Sequence, residues 1–217
     1  MPPRRCVIIG DVIGSKSVED RGALKARIDD GVALVNEELS NRLVAPFQPL
    51  KGVDEIGGVL ADLRGAYHAV RVLTEAVHPV EIRFAIVWGD VDIGGEGDDV
   101  TEMDGPAFHD ADDALARLGD RDRYVAVVVD RPAKDWLERL LSNQFELLLI
   151  LKHELTERQM EILRVYREVR RLAPVASEFD VTVQSISNTL KRARAQPMLD
   201  IEADLDVAVE QFAESIT

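Results

Sequence analysis

Basic residues are scarce in this chain. Its 217 residues hold 26 Lys and Arg against 40 Asp and Glu, a formal charge of −14 with a pI near 4.7. That balance excludes a uniformly basic nucleic-acid binder. Cysteine is scarcer still, and the lone Cys6 excludes both a disulfide framework and a thiolate zinc cluster. Long apolar runs are missing: the longest, around Leu147–Leu151, falls far short of a bilayer span. No charged-then-apolar leader opens the sequence, so the expectation is a cytoplasmic protein with no membrane partner. Gly/Ser linkers, internal repeats and low-complexity tracts are also lacking.

What is present is charge of a particular kind. The chain has 22 Asp and 18 Glu, and 20 Arg to only 6 Lys. Abundant carboxylates with scarce lysine are the look of a halophilic protein, since carboxylates hold water where salt screens other charges. The alternative is a merely acidic mesophilic chain. The charge is also uneven. Residues 1–151 carry 17 basic and 28 acidic residues, residues 152–196 carry 9 and 6, and residues 197–217 carry 6 acids and no base. A locally basic segment inside an acidic chain reads as a separate module.

In the first module, Cys6-Val7-Ile8-Ile9 is a short β-branched run closed by Gly10, the mark of a buried strand. Leu24, Ile28, Val32, Val35 and Leu39 recur at helical spacing. Phe47–Lys51 and Ile56–Leu60 flank a turn and predict a hairpin. Arg64–Val77 predicts a helix, Val80–Trp88 a strand, Ala107–Leu118 a helix, Tyr124–Val129 a strand and Lys134–Leu151 a long helix. The order β-α-β-β-α-β, then α-β-α, predicts an α+β sandwich with helices on one face of a mixed sheet.

Asp11 directly follows the first strand and Asp54 sits at the hairpin tip. In such a layout the two carboxylates reach one sheet edge. Paired carboxylates repel unless a cation neutralises them, and hard oxygen ligands suit Mg²⁺ or Mn²⁺. Asp is equally an ordinary turn residue, so spacing alone leaves both readings open.

Four motifs carry a resemblance. Ile9-Gly10-Asp11-Val12-Ile13-Gly14-Ser15 and Lys51-Gly52-Val53-Asp54 look like the two metal-binding turns of class III nucleotide cyclases. Ile82–Val91 is similar to their arginine-bearing strand, and Gly105–Ala111 to the helix that follows. The closer match is the SatD family, through Gly10–Ser15, Val53-Asp54-Glu55 and Asp104–Phe108. The resemblance implies a ferredoxin-like, cyclase-like domain. It implies Asp11, Asp54 and Glu55 as metal ligands, and Ser15, Lys16, Lys51 and His109 around a nucleotide. Asp113 stands where the cyclases place a transition-state arginine. A carboxylate there repels the phosphates instead of stabilising their charge. Val53 replaces a glycine of the hairpin turn. The resemblance therefore implies the fold with nucleotide and metal binding, and stops short of cyclase activity.

Residues 152–196 read as a helix-turn-helix. Thr156 caps one helix, Pro174 opens a short second, and Thr182 caps a third running Val183–Ala195 with Val183, Ile186 and Leu190 inward. Gln184, Ser185, Ser187, Asn188, Lys191, Arg192 and Arg194 then point outward and, with Thr182, are the candidate DNA-binding residues. Amides and hydroxyls early with cations late suit a recognition helix, the first for base edges and the second for phosphates. The stretch resembles the tail helix-turn-helix of sigma-factor region four. An ordinary three-helix interaction module is the alternative. Residues 197–217 predict an acidic amphipathic helix that either pairs with a second copy or packs back.

Two functions follow. One is a DNA-binding transcriptional regulator, a homodimer whose degenerate cyclase-like domain senses nucleotide and metal. The other is a metal-dependent nucleotidyl-transfer enzyme acting on a nucleoside triphosphate.

Overall fold

The computed structural model describes residues 2–130 and 135–216. The first residue of the predicted helix Lys134–Leu151 lies outside them. Five strands form one sheet: β1 (Arg4–Val12), β2 (Leu43–Pro49), β3 (Glu55–Leu60), β4 (Ile82–Asp90) and β5 (Val125–Val129), in the order β2-β3-β1-β4-β5. β1 lies at the centre, antiparallel to β3 and β4, while β5 joins β4 in parallel. Helices α1 (Arg21–Glu38) and α2 (Ala66–Val77) supply the two crossovers, which completes the expected β-α-β-β-α-β order.

The strands are apolar on both sides, so both faces of the sheet must be covered. Cys6 and Ile8 face one core, shared with Leu24, Ile28 and Val35 of α1 and Tyr67, Val70 and Leu73 of α2. Val7 and Ile9 face the other, with Ala85 and Val87 of β4 and Ala107, Ala111 and Ala114 of α3 (Pro106–Arg121). The expectation of helices on a single face is thereby corrected: α3 covers the second face. Its alanines let the helix lie close, and Gly89 of β4 sits directly beneath Ala107.

Helix α4 (Asp135–His153) follows β5 and packs on the first face through Leu141, Phe145, Leu148 and Leu149. Its other side leaves Trp136, Leu140 and Leu147 exposed. Three short helices come next: α5 (Glu157–Val169), α6 (Leu172–Glu178) and α7 (Val183–Arg192). Helix α8 (Ala195–Ile216) ends the described chain, with Met198, Leu199, Leu205, Val209, Phe212 and Ile216 all buried. The apolar side of this acidic amphipathic helix therefore packs back on its own chain. Among the described residues no helix is long and apolar enough to cross a membrane.

The helical half is pinned by buried charge. Lys152 of α4 is fully buried, with Nζ 2.6 Å from both Glu75 of α2 and Glu202 of α8. Arg167 of α5 reaches the same two carboxylates at 2.7 and 3.0 Å. Tyr67 donates its hydroxyl to Glu202 at 2.9 Å. Two cations against two carboxylates leave every buried charge compensated, which is what burial of charge requires. The cluster joins four helices: α2 before residue 151, α4 across it, and α5 and α8 after it.

Candidate functional site

The acidic turn is built by strand register. Asp11 lies opposite Glu55 across β1 and β3, and opposite Arg83 across β1 and β4. The hairpin tip is tied to the end of β1, where Val12 N–H donates to the Asp54 carbonyl at 2.8 Å. Gly52 takes positive φ at the tip, and Val53 turns inward to join the core. The valine that replaces glycine thus anchors the turn rather than crowding its outer surface.

Each acid of this turn has a cation beside it. Arg83 stands 3.8 Å from Asp11, Arg21 3.3 Å from Asp54 and Lys51 2.7 Å from Glu55. Burial raises the Asp11 carboxyl above its ordinary range. Arg83 opposes that rise, while the Glu55 and Asp54 carboxylates add to it. The Lys51 ammonium is raised in turn, first by its hydrogen bond to Glu55 and further by Asp112 on α3. Arg21 and Asp112 went unseen as site residues in the sequence, because only helix packing brings them to the turn. Among the described residues no three His, Cys, Asp or Glu side chains converge as a metal-ion ligand set. Asp11, Asp54 and Glu55 are thus each countered by an arginine or a lysine.

The other residues of the set that the resemblance implies lie just after β1 and on α3. Ser15 is buried in a 3₁₀ turn after β1, and Lys16 beside it is exposed. His109 is exposed on α3, its Nε2 3.3 Å from Asp104. Asp113 is exposed on the same helix.

The second candidate is the outer face of α7. Thr182 caps the helix by accepting the Ser185 N–H at 3.1 Å. Asp180 holds the connection from α6 in the left-handed region at φ 51°, the place where glycine is favoured. Ile186 and Leu190 are buried against α5 and α6, so Gln184, Ser185, Asn188, Lys191 and Arg192 are exposed and Ser187 half-buried. Arg194 is exposed just beyond the helix. Gln184 donates to Asn188 at 3.0 Å, which aligns the two amides along one row. Val183 was expected inward but is 46% exposed. It is the first residue of α7. Of the arginines on α5, Arg164 is exposed, whereas Arg167 is spent in the buried cluster.

The sequence profile of the SatD family matches residues 6–196. The comparison with curated proteins gave no match. Solved structures similar to the chain include two of a bacterial light-regulated adenylyl cyclase. They are 13% and 12% identical with TM-scores of 0.43 and 0.42, each covering 58% of this chain and 43% of the other. Another is the guanylyl cyclase Cya2, 13% identical over 54% of this chain and 73% of that one, with a TM-score of 0.38. The chain spans less than half the length of the light-regulated cyclase structures it matches.

Proposed function

The chain belongs to the SatD family, and on that premise we propose that it is a DNA-binding transcriptional regulator, with α5–α7 as a helix-turn-helix and α7 as its reading helix. The observation that carries the reading is the outward row of α7. Amide and hydroxyl groups stand in its first two turns, Lys191 and Arg192 in its last, and Arg194 follows. That order matches a helix whose N-terminal part meets base edges and whose basic end meets phosphates. Its partners are DNA and a second copy of the chain, since a pair of reading helices doubles the sequence that is read. The first module is the degenerate counterpart of a cyclase-like domain: four motifs stand in order, while the acids are countered by Arg83, Arg21 and Lys51. Nucleotide is the ligand class this leaves to it, near Ser15, Lys16, Lys51 and His109. Fluorescence anisotropy with genomic DNA fragments, titrated across salt, tests the proposal. Selective binding over random DNA is expected, and equal affinity for all fragments at every salt refutes it.

A second reading, a metal-dependent nucleotidyl-transfer enzyme, draws on Asp11, Asp54 and Glu55 sharing one sheet edge. Mass spectrometry after incubation with ATP or GTP plus Mg²⁺ or Mn²⁺ separates the two. The regulator reading expects unchanged nucleotide, and a product lost in Asp54→Asn establishes the enzyme.

A further inference from the structure

Between the α1–α2 pair and the α5–α6 pair lies an open cleft. Its larger lobe has a volume of about 490 Å³, within the range of ligand pockets, and lies between two parts of the chain, where such pockets favour domain junctions. A smaller lobe of about 240 Å³ continues it and shares Leu34, Glu75, Glu161 and Arg164. The larger lobe has an apolar lining of Leu34, Val72, Val165 and Phe179.

The charges around the cleft divide into spent and unspent. Arg71 and Arg167 pair with Glu75, Glu38 with His68, and Glu161 with Arg158. Glu168 and Glu178 line the larger lobe with no hydrogen bond or ion pair among the described residues, as does Arg164. Two unspent carboxylates against one unspent guanidinium leave the lobe a negative excess, in a chain whose net charge is −14. The smaller lobe is bordered by His78, which is buried.

We infer that this cleft is a binding site for a small organic cation, an amine carried on an apolar body. The body lies along Leu34, Val72, Val165 and Phe179, and the ammonium meets Glu168 and Glu178. Because the cleft parts α1–α2 from α5–α6, its occupant sets how closely the α5–α7 unit approaches the first module. That control of DNA binding rests on the regulator reading, whereas binding of the amine does not.

The probe is dansylcadaverine, a fluorescent aromatic body with a primary ammonium, titrated into the full chain. 8-Anilinonaphthalene-1-sulfonate, a comparable body of opposite charge, is the counter-probe. Saturable binding of dansylcadaverine in preference to the sulfonate is expected. Affinity falls about tenfold or more in the double variant Glu168→Gln, Glu178→Gln, and Val72→Trp abolishes binding by filling the lobe. Arg164→Gln, which removes the opposing cation, tightens it. Glu210→Gln with Glu214→Gln, exposed acids on α8 away from the cleft, leave it unchanged. Melting temperature checks that each variant is folded. Preference for the sulfonate overturns the inference, and so does wild-type affinity in both the double variant and Val72→Trp. DNA anisotropy with and without the probe is read separately: amine binding without DNA binding removes the regulator reading and leaves the site standing.

Discussion

Replacing Glu75 by Gln tests the buried charge cluster at its most connected member. The Glu75 side chain is 3% exposed and receives Lys152 at 2.6 Å, Arg167 at 2.7 Å and Arg71 at 3.4 Å. Burial alone pushes its pKa up, but the three cations more than reverse this and hold it down at about 2. A carboxyl shifted from its ordinary 4.5 to about 2 contributes about 3 kcal/mol. The folded carboxyl binds its proton more weakly than the unfolded one. That stability is therefore complete above pH 4.5 and lost as pH falls through about 2. Glutamine keeps the shape and removes the charge, leaving Lys152 and Arg167 to share Glu202. Breaking a buried pair in this way costs about 3–5 kcal/mol. For a chain of this length that lowers the melting temperature by about 6–20 °C. Circular dichroism melts at pH 7 read it, and a drop under about 2 °C refutes the claim that the cluster holds the helices together. The double replacement Glu75→Leu, Lys152→Met recovers much of the loss, because an apolar pair avoids the desolvation cost.

Three further outcomes follow. His153 is held near pKa 4 by burial first, then by His78 and Lys152, and Glu81 at 3.8 Å does not offset this. As pH falls below 6.5 the unfolded imidazole takes the proton first, so up to about 3 kcal/mol is lost between pH 6.5 and 4. His153→Phe flattens the urea midpoint across that window; an unchanged slope contradicts the assignment. A Cβ on Gly31 of α1 would stand 2.7 Å from the Ala76 Cβ on α2, so Gly31→Ala costs about 1–3 kcal/mol through overpacking, read by denaturant titration. Lys191→Ala and Arg192→Ala together lower the slope of log affinity against log salt by about two if both cations meet phosphate. An unchanged slope removes them from the DNA interface.

The residues that spoke in the sequence are those whose chemistry is local. Leu24, Ile28, Val32, Val35 and Leu39 repeat at helical spacing, and all five are buried. Cys6–Ile9 is apolar without alternation, and the strand is covered on both sides. The covering of the second side was harder to read, because Ala107, Ala111 and Ala114 carry little hydrophobic signal for a helix that must lie close. Asp11 and Asp54 were legible as turn acids, and the tie from Val12 to Asp54 joins their turns. Their cations were not. Arg83 meets Asp11 only through the antiparallel register of β1 and β4, and Arg21 reaches Asp54 from the start of α1. In the sequence Lys152 only counts toward the locally basic segment, yet it is fully buried. Its burial depends on two carboxylates distant in sequence, and no local pattern announces such a partnership.

The same cluster constrains how the two halves of the chain communicate. Arg167 ties α5 to α2 and α8 through contacts of 2.7 and 3.0 Å that stretch only at high cost in a buried setting. The rest of α5 and α6 faces α1 and α2 across the open cleft. Met160, Ile162 and Leu163 also hold α5 in the core. Glu75 and Arg167 both line the cleft, so their ion pair is the link between α2 and α5 that an occupant of the cleft meets. Helix α7 packs on α5 and α6 through Ile186 and Leu190. In Glu75→Gln that link is lost, while Arg167 keeps Glu202. If coupling runs this way, Glu75→Gln weakens the effect of a cleft ligand on DNA binding more than it weakens DNA binding itself.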